Sequence, residues 1–280
     1  MFSFKVNNKI IKYTMTILLF GSTGMLGRYV FNILKNDYNV ICVKRDNFDI
    51  ENDEWYKLKD IIEHNLLENN IIINCAGIIP QKYKDDNIKT FIRVNTLFPH
   101  KLNEYAKIYG CKFIHITTDC VFDGSKGNYS VNDSHNAKNI YGISKSQGEP
   151  EDATIIRTSI IGEELYGKKS LIEWVKSNKD GKIKGFTNHY WNGVTCLELA
   201  KYIKNIIEIN DIWSGVRHIF SPNIVTKYEL CCYINEIYEL NINIEKYEDS
   251  ISKIMTLCGE LKINESIFDQ IKETKMWNLE

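Results

Sequence analysis

The chain has 280 residues, of which 44% are apolar and 25% charged, and its formal net charge is −1. This is the composition of a globular protein, and a charge so close to zero excludes nucleic acid or an acidic membrane surface as the main partner. The eight cysteines show neither CxxC nor Cys/His ligand spacing, which excludes a zinc site or a disulfide framework and predicts no bound metal and a reducing, cytoplasmic compartment.

In chain order, residues 1–14 read as an appendage, because the first clear strand pattern opens at Met15. An extra edge strand and a mobile tail both stay open for that segment. The apolar run at 17–20 is too short to span a bilayer, and no signal-peptide pattern precedes it. Runs at 16–20, 39–43, 71–74 and 112–116 predict buried parallel strands. Between them, 25–36, 52–65 and 87–108 carry apolar residues three and four apart, the spacing of helices packed on a sheet. In the first of these the stripe is Leu26, Val30, Ile33 and Leu34. A helix over 138–149 and a strand over 153–159 follow. This alternation predicts an α/β fold, with a Rossmann-type doubly wound parallel sheet over 15–160. Beyond that the pattern loosens, with helices expected at 170–178, 195–208, 226–238 and 264–272 and strands at 182–186 and 215–220. The expectation is a smaller C-terminal α/β substrate lobe over 161–280, with the chain able to cross between the two parts.

Strand 16–20 runs into Gly21-Ser22-Thr23-Gly24-Met25-Leu26-Gly27, a GxxGxxG spacing at a strand-to-helix junction. Glycines there permit a tight turn and let a pyrophosphate approach backbone N–H groups at the helix start. A dinucleotide is therefore expected against Gly21, Ser22, Thr23, Gly24, Met25 and Leu26. An NAD-selective site usually has an acid at the end of the second strand. This chain has Lys44 and Arg45, which suit a 2′-phosphate, so NADP(H) is expected, with Asp49 and Ile50 beside it. Asp46 and Asp49 keep NAD open. Strand 71–74 leads into Cys75, Ala76 and Gly77, small residues that let ribose and pyrophosphate lie against backbone.

Tyr141 and Lys145 are four apart and share one helix face. A lysine charge there is expected to lower the tyrosine pKa toward neutrality. The phenol can give its proton to a ketone oxygen as hydride arrives at carbon. Lys145 can also hold the nicotinamide ribose. Thr118, at the end of its strand, can hydrogen-bond the same oxygen, whereas His115 faces the opposite side of the strand.

These residues resemble the extended short-chain dehydrogenase/reductase superfamily and, more narrowly, the dTDP-4-dehydrorhamnose reductase family. The resemblance is carried by ILLFGSTGMLG (17–27), NCAG (74–77), VNTLFPH (94–100), ITTDCVFDG (116–124), YGISK (141–145) and IRTSIIG (156–162). It implies an NADPH-dependent reductase of nucleotide-linked 4-keto-6-deoxy sugars, with a homodimer left open. It also implies substrate contacts from Thr118, Asp119, Cys120 and Val121, and from the aromatics Trp174 and Trp191. That family commonly has tyrosine where Cys120 stands and tryptophan where Ile160 stands. GDP-fucose synthase instead carries a cysteine two residues after its hydroxyl residue, as Cys120 follows Thr118, and uses it to epimerise carbons beside the ketone. The likeness implies a thiolate at Cys120 as one epimerising group. The second is expected among Lys168, Lys169 and Ser170, with Lys169 favoured because similar plant UDP-rhamnose-forming enzymes use a lysine. The chain is then most similar to bifunctional 3,5-epimerase/4-reductases that make UDP-L-rhamnose, with UDP favoured over dTDP. A plain 4-ketoreductase, and a non-catalytic regulatory subunit like that of methionine adenosyltransferase, are the alternatives.

Overall fold

The computed structural model describes residues 4–6, 9–11, 15–66, 69–80, 87–165 and 169–277. Within the appendage, β1 (Phe4–Val6) and β2 (Lys9–Ile11) pair with each other in a sheet of their own, so neither of these two strands is an edge strand of the main sheet.

The first body alternates β3 (Thr16–Phe20), α1 (Met25–Leu34), β4 (Asn39–Val43), α2 (Trp55–Asn65) and β5 (Ile71–Asn74). The helix that follows runs through α3 (Ile88–Phe91), a π-helical stretch (Ile92–Leu97) and α4 (Phe98–Ile108). Then come β6 (Lys112–Thr118), α5 (Ile140–Ser146) and β7 (Thr154–Thr158). The middles of β3, β4 and β5 are runs of apolar residues, Ile17–Phe20, Val40–Val43 and Ile71–Ile73, as expected where both faces of the sheet are covered. Ile17 and Leu19 of β3 pack with Tyr29 and Val30 of α1, whereas Leu18 and Phe20 pack with Leu58 of α2 and Phe98 and Leu102 of α4.

The second half begins with β8 (Ile160–Ile161), α6 (Leu171–Lys176), β9 (Lys182–Phe186), β10 (His189–Trp191) and β11 (Val194–Thr195). The chain then returns to the first body. Helix α7 (Cys196–Glu208) packs on α1, and β12 (Gly215–His218) pairs with β7. It ends with β13 (Val225–Thr226), α8 (Lys227–Tyr238), β14 (Asn243–Tyr247), β15 (Lys253–Met255) and α9 (Ile267–Met276). Three short sheets, β13-β10-β15, β11-β8 and β14-β9, share a core that includes Ile172, Trp191, Ile234 and Ile271.

The main sheet is wholly parallel, in the order β12-β7-β6-β5-β3-β4. From β3 the chain moves to β4 on one side and then crosses to β5 on the other. That reversal makes a crevice at the carboxyl ends of β3 and β5, where an open α/β sheet binds its ligand. No helix among the described residues is long and apolar enough to cross a membrane.

Candidate active site

The turn after β3 is built for close backbone contact. Gly21 has φ +77°, and a Cβ on it would lie 2.5 Å from the Ala76 amide nitrogen after β5. A Cβ on Gly27 would lie 2.1 Å from the Gly21 carbonyl oxygen, to which the Gly24 N–H donates at 2.9 Å. Gly24 caps α1 without a side-chain hydrogen bond, and the first turn contains no acid, so its amides are open to an anion. The adjoining cleft, about 260 Å³, brings together Gly21, Thr23, Gly24, Lys44, Arg45, Ile50, Cys75, Ala76 and Gly77. These residues fit a dinucleotide: a glycine nest for the pyrophosphate, small residues after β5, and cations after β4.

Several expected cofactor residues are committed elsewhere. The Leu26 side chain is buried in the core, so its position offers only backbone. The Asp49 carboxylate accepts from the Glu51 N–H at 3.0 Å and from Asn52 Nδ2 at 2.8 Å, which shapes the turn after β4. Arg45 extends to Glu51 at 2.7 Å with its side chain 68% exposed. Lys44 also lines a second cleft behind the glycine turn, together with Ser22, Thr23 and Arg28. Sequence reading missed Arg28, although its place immediately after the third glycine puts it in the first turns of α1.

At the end of β6, the Thr118 hydroxyl donates to Asp119 Oδ1 at 3.1 Å, accepts from the Cys120 N–H at 3.2 Å, and hydrogen-bonds the Tyr141 phenol. Tyr141 is brought there by α5, whose N-cap Asn139 accepts from the Gly142 N–H at 2.8 Å. The π-helical stretch holds α5 in place. Asn95 grips both the N–H and the carbonyl of Ile78 and reaches Ser144 Oγ at 3.2 Å, while the Thr96 hydroxyl donates to the Ser144 carbonyl at 2.7 Å. Both lie in the VNTLFPH stretch, but neither carries an expected role of its own there, since a π-bulge leaves no periodic signal.

Lys145 is only 5% exposed, and its Nζ donates to the Ile116 carbonyl at 3.1 Å, close to Gly77 on the cofactor side. Burial depresses its pKa to about 8. The expected pull of Lys145 on Tyr141 is not what the structure shows. Burial, and then the neighbouring Cys120, push the phenol upward, and Lys145 is not among the groups acting on it. With its ammonium tied to Ile116, Lys145 leaves Tyr141 a neutral phenol carrying its proton.

The expected thiolate at Cys120 is likewise corrected. Burial and the Asp119 carboxylate, with which its Sγ hydrogen-bonds at 3.5 Å, push the Cys120 thiol up to about 12. Asp119 is 2% exposed, and burial raises its pKa as well. The cation whose charge reaches both is Lys227, the first residue of α8. Lys169 is exposed, and its backbone N–H donates to Glu164 at 2.6 Å; Lys168 lies outside the described residues. Val121 is buried with Phe122 and Tyr129, so its side chain packs instead of facing a ligand. Trp174 is 42% exposed on α6, whereas Trp191 is 2% exposed beneath Lys227. His115 is buried, with its Nδ1 3.2 Å from Asn74 Nδ2. Among the described residues no cluster of His, Cys, Asp or Glu is placed to hold a metal ion.

A parallel doubly wound sheet, with a glycine turn at its switch point and a Thr/Tyr/Lys group at the end of β6 and on α5, defines the short-chain dehydrogenase/reductase class. More narrowly, the chain belongs to the RmlD substrate binding domain family, whose family model matches residues 15–249. A dTDP-4-dehydrorhamnose reductase of Aggregatibacter actinomycetemcomitans is 27% identical over 233 residues, spanning 78% of this chain and 77% of that one. The methionine adenosyltransferase 2 subunit beta of Danio rerio is 26% identical over 254 residues, spanning 80% and 74%. The crystal structure of a dTDP-4-dehydrorhamnose reductase from Bacillus anthracis in complex with NADP shares the fold, with a TM-score of 0.80 at 18% identity over 94% of this chain and 99% of that one.

Proposed function

We propose that this protein reduces the 4-ketone of a nucleotide-linked 6-deoxyhexose with NADPH. One observation carries the reading: the Tyr141 phenol and the Thr118 hydroxyl meet at the end of β6, with Lys145 one helical turn away on the cofactor side. The family and the reductases among its relatives agree with that chemistry. NADPH, when bound, supplies the hydride. The glycine turn and the open amides of α1 hold its pyrophosphate, and Lys44 and Arg28, which line one cleft with Ser22 and Thr23, meet its 2′-phosphate. Thr118 and Tyr141 hold the ketone oxygen between two hydroxyls, and Tyr141 gives up its proton as that oxygen gains charge. Lys145 is the residue to hold the cofactor's ribose. A cytosolic setting, where all eight cysteines stay free thiols, suits the reading.

A second reading adds epimerisation at C3 and C5 before reduction, giving a nucleotide-linked L-rhamnose from the un-epimerised keto sugar. It is favoured by Cys120, whose thiol lies in one cluster with Thr118, Asp119 and Tyr141. A thiol this reluctant to ionise serves better as the proton donor of such a step than as its base. The nucleotide in that reading is UDP, on the likeness to the epimerase-reductases, whereas the relatives' names carry dTDP.

The reading is tested by following NADPH oxidation with dTDP- and UDP-linked 4-keto-6-deoxy sugars, pre-epimerised or not. Tyr141→Phe is expected to lower kcat by about 10²- to 10⁴-fold while NADPH affinity stays unchanged. NADPH binding without oxidation of any of these sugars would favour the regulatory-subunit alternative instead.

A further inference from the structure

Lys227 is a cation in an unfavourable place. It is the first residue of α8, where the helix dipole presents positive charge and favours an acid. It is also firmly placed. Thr226 and Glu229 form a capping box around it, β13 is fixed on β10 through Tyr190↔Thr226 and Trp191↔Val225, and its Nζ lies 4.9 Å from the centre of the buried Trp191 ring. Its charge is felt by Asp119, Cys120 and Cys231, yet among the described residues no carboxylate stands within ion-pair distance of it. Within reach of its charge, the buried Asp119 carboxylate accepts, among the described residues, from uncharged donors, the Thr118 hydroxyl, the Cys120 thiol and Ser159. An ammonium has three donors and no acceptor, and a carboxylate the reverse. Held on different parts of the chain, too far apart to pair, the two leave a donor and an acceptor beside the carbonyl-reducing group. A sugar hydroxyl, which both accepts and donates, completes that arrangement.

We propose that Lys227 and Asp119 clamp the hydroxyl on the sugar carbon next to the ketone, with Lys227 as the specificity-determining donor from the C-terminal part of the chain. Asp119 follows Thr118 directly, so when Thr118 meets the ketone oxygen, the Asp119 carboxylate is offered to the adjacent carbon. The inference rests on the keto-sugar reading for the orientation of the ring, but its test does not require turnover.

Calorimetry with the NADP⁺-loaded protein would compare dTDP-L-rhamnose and UDP-L-rhamnose, the free nucleoside diphosphates, and the 3-deoxy counterparts of the sugars. Lys227→Met is expected to weaken binding of the preferred sugar nucleotide by about 10- to 100-fold, as for a hydrogen bond to a charged group. It should leave the free diphosphate and NADP⁺ unaffected and cause no further loss on the 3-deoxy sugar. Lys227→Arg should recover most of the loss, and Asp119→Asn should show the same sugar-only pattern. Equal weakening of the free diphosphate would show that Lys227 reads phosphate, an unchanged affinity would make it a packing residue on Trp191, and a wild type that binds neither sugar nucleotide would leave no sugar to clamp; each overturns the inference. A wild type that binds the sugar with this pattern but oxidises no NADPH would overturn the reductase reading and leave the clamp standing.

Discussion

Lys145 shows how the candidate site is held at a cost in stability. Its pKa falls from an ordinary 10.5 to about 8 because burial disfavours the ammonium. Between those values the unfolded chain keeps a proton that the folded chain has released, so stability rises with pH across that window. Below pH 8 both states are protonated and the full penalty remains, on the order of 3 kcal/mol. Lys145→Met, which keeps the stem and loses the charge, should therefore raise the stability of the cofactor-free protein at pH 7 by about 1–3 kcal/mol. Denaturant unfolding should show that gain shrinking from pH 8 toward pH 10.5, while reductase activity is lost at every pH. A variant less stable than wild type at pH 7 would mean that the Ile116 hydrogen bond outweighs desolvation. Glu149, held by the buried Arg157 at 2.6 Å, keeps Lys145 from falling further. At Cys120, Cys120→Ala should leave reduction of a pre-epimerised sugar intact. Loss of solvent deuterium exchange at C3 or C5 in that variant would support the epimerising reading; exchange at the wild-type rate would remove the thiol from it.

At the scale of elements, the cofactor site is a joint property of β3, α1, β4 and the segment after β5. The glycine turn was legible because GxxGxxG has meaning at a strand-to-helix junction, and the structure adds the reason: backbone passes within contact distance of Gly21 and Gly27. The choice between the cations was not legible. Lys44 and Arg45 are adjacent in sequence, but Arg45 is drawn to Glu51 while Lys44 shares a cleft with Arg28. Arg28→Ala should weaken NADPH binding by about tenfold or more, as for a lost charged hydrogen bond, with NADH affinity unchanged, as read by nicotinamide fluorescence. Equal weakening of both would assign Arg28 to the fold instead of the 2′-phosphate. The long buried strands were readable from their apolar runs. β8, β10, β11 and β13 have only two or three residues each, too few to show alternation, so the local order that places Trp191 and Lys227 could not be read. The helix start at 226 was expected, and its Thr226 and Glu229 have the spacing of the capping box that the structure shows around Lys227.

At the scale of the molecule, the doubly wound sheet sets a crevice at its switch point, and the later part of the chain brings the Lys227 charge within reach of Asp119 and Cys120. The chain achieves this by crossing back, since α7 and β12 rejoin the first body before β13 and α8 bring Lys227 to Asp119. Residues so far apart in sequence come together only through tertiary packing, which is why the resemblance points to the 168–170 segment whereas the cation whose charge reaches Cys120 stands at the start of α8. The central claim is hydride delivery to a sugar C4 with a proton from Tyr141. Its most direct measurement is NMR of the product formed from NADPH carrying deuterium at the nicotinamide C4 and a nucleotide-linked 4-keto-6-deoxyhexose. The account predicts one deuterium on the sugar C4 and almost none in Tyr141→Phe. A wild type that binds NADPH and the sugar nucleotide but leaves the sugar C4 unlabelled would contradict it.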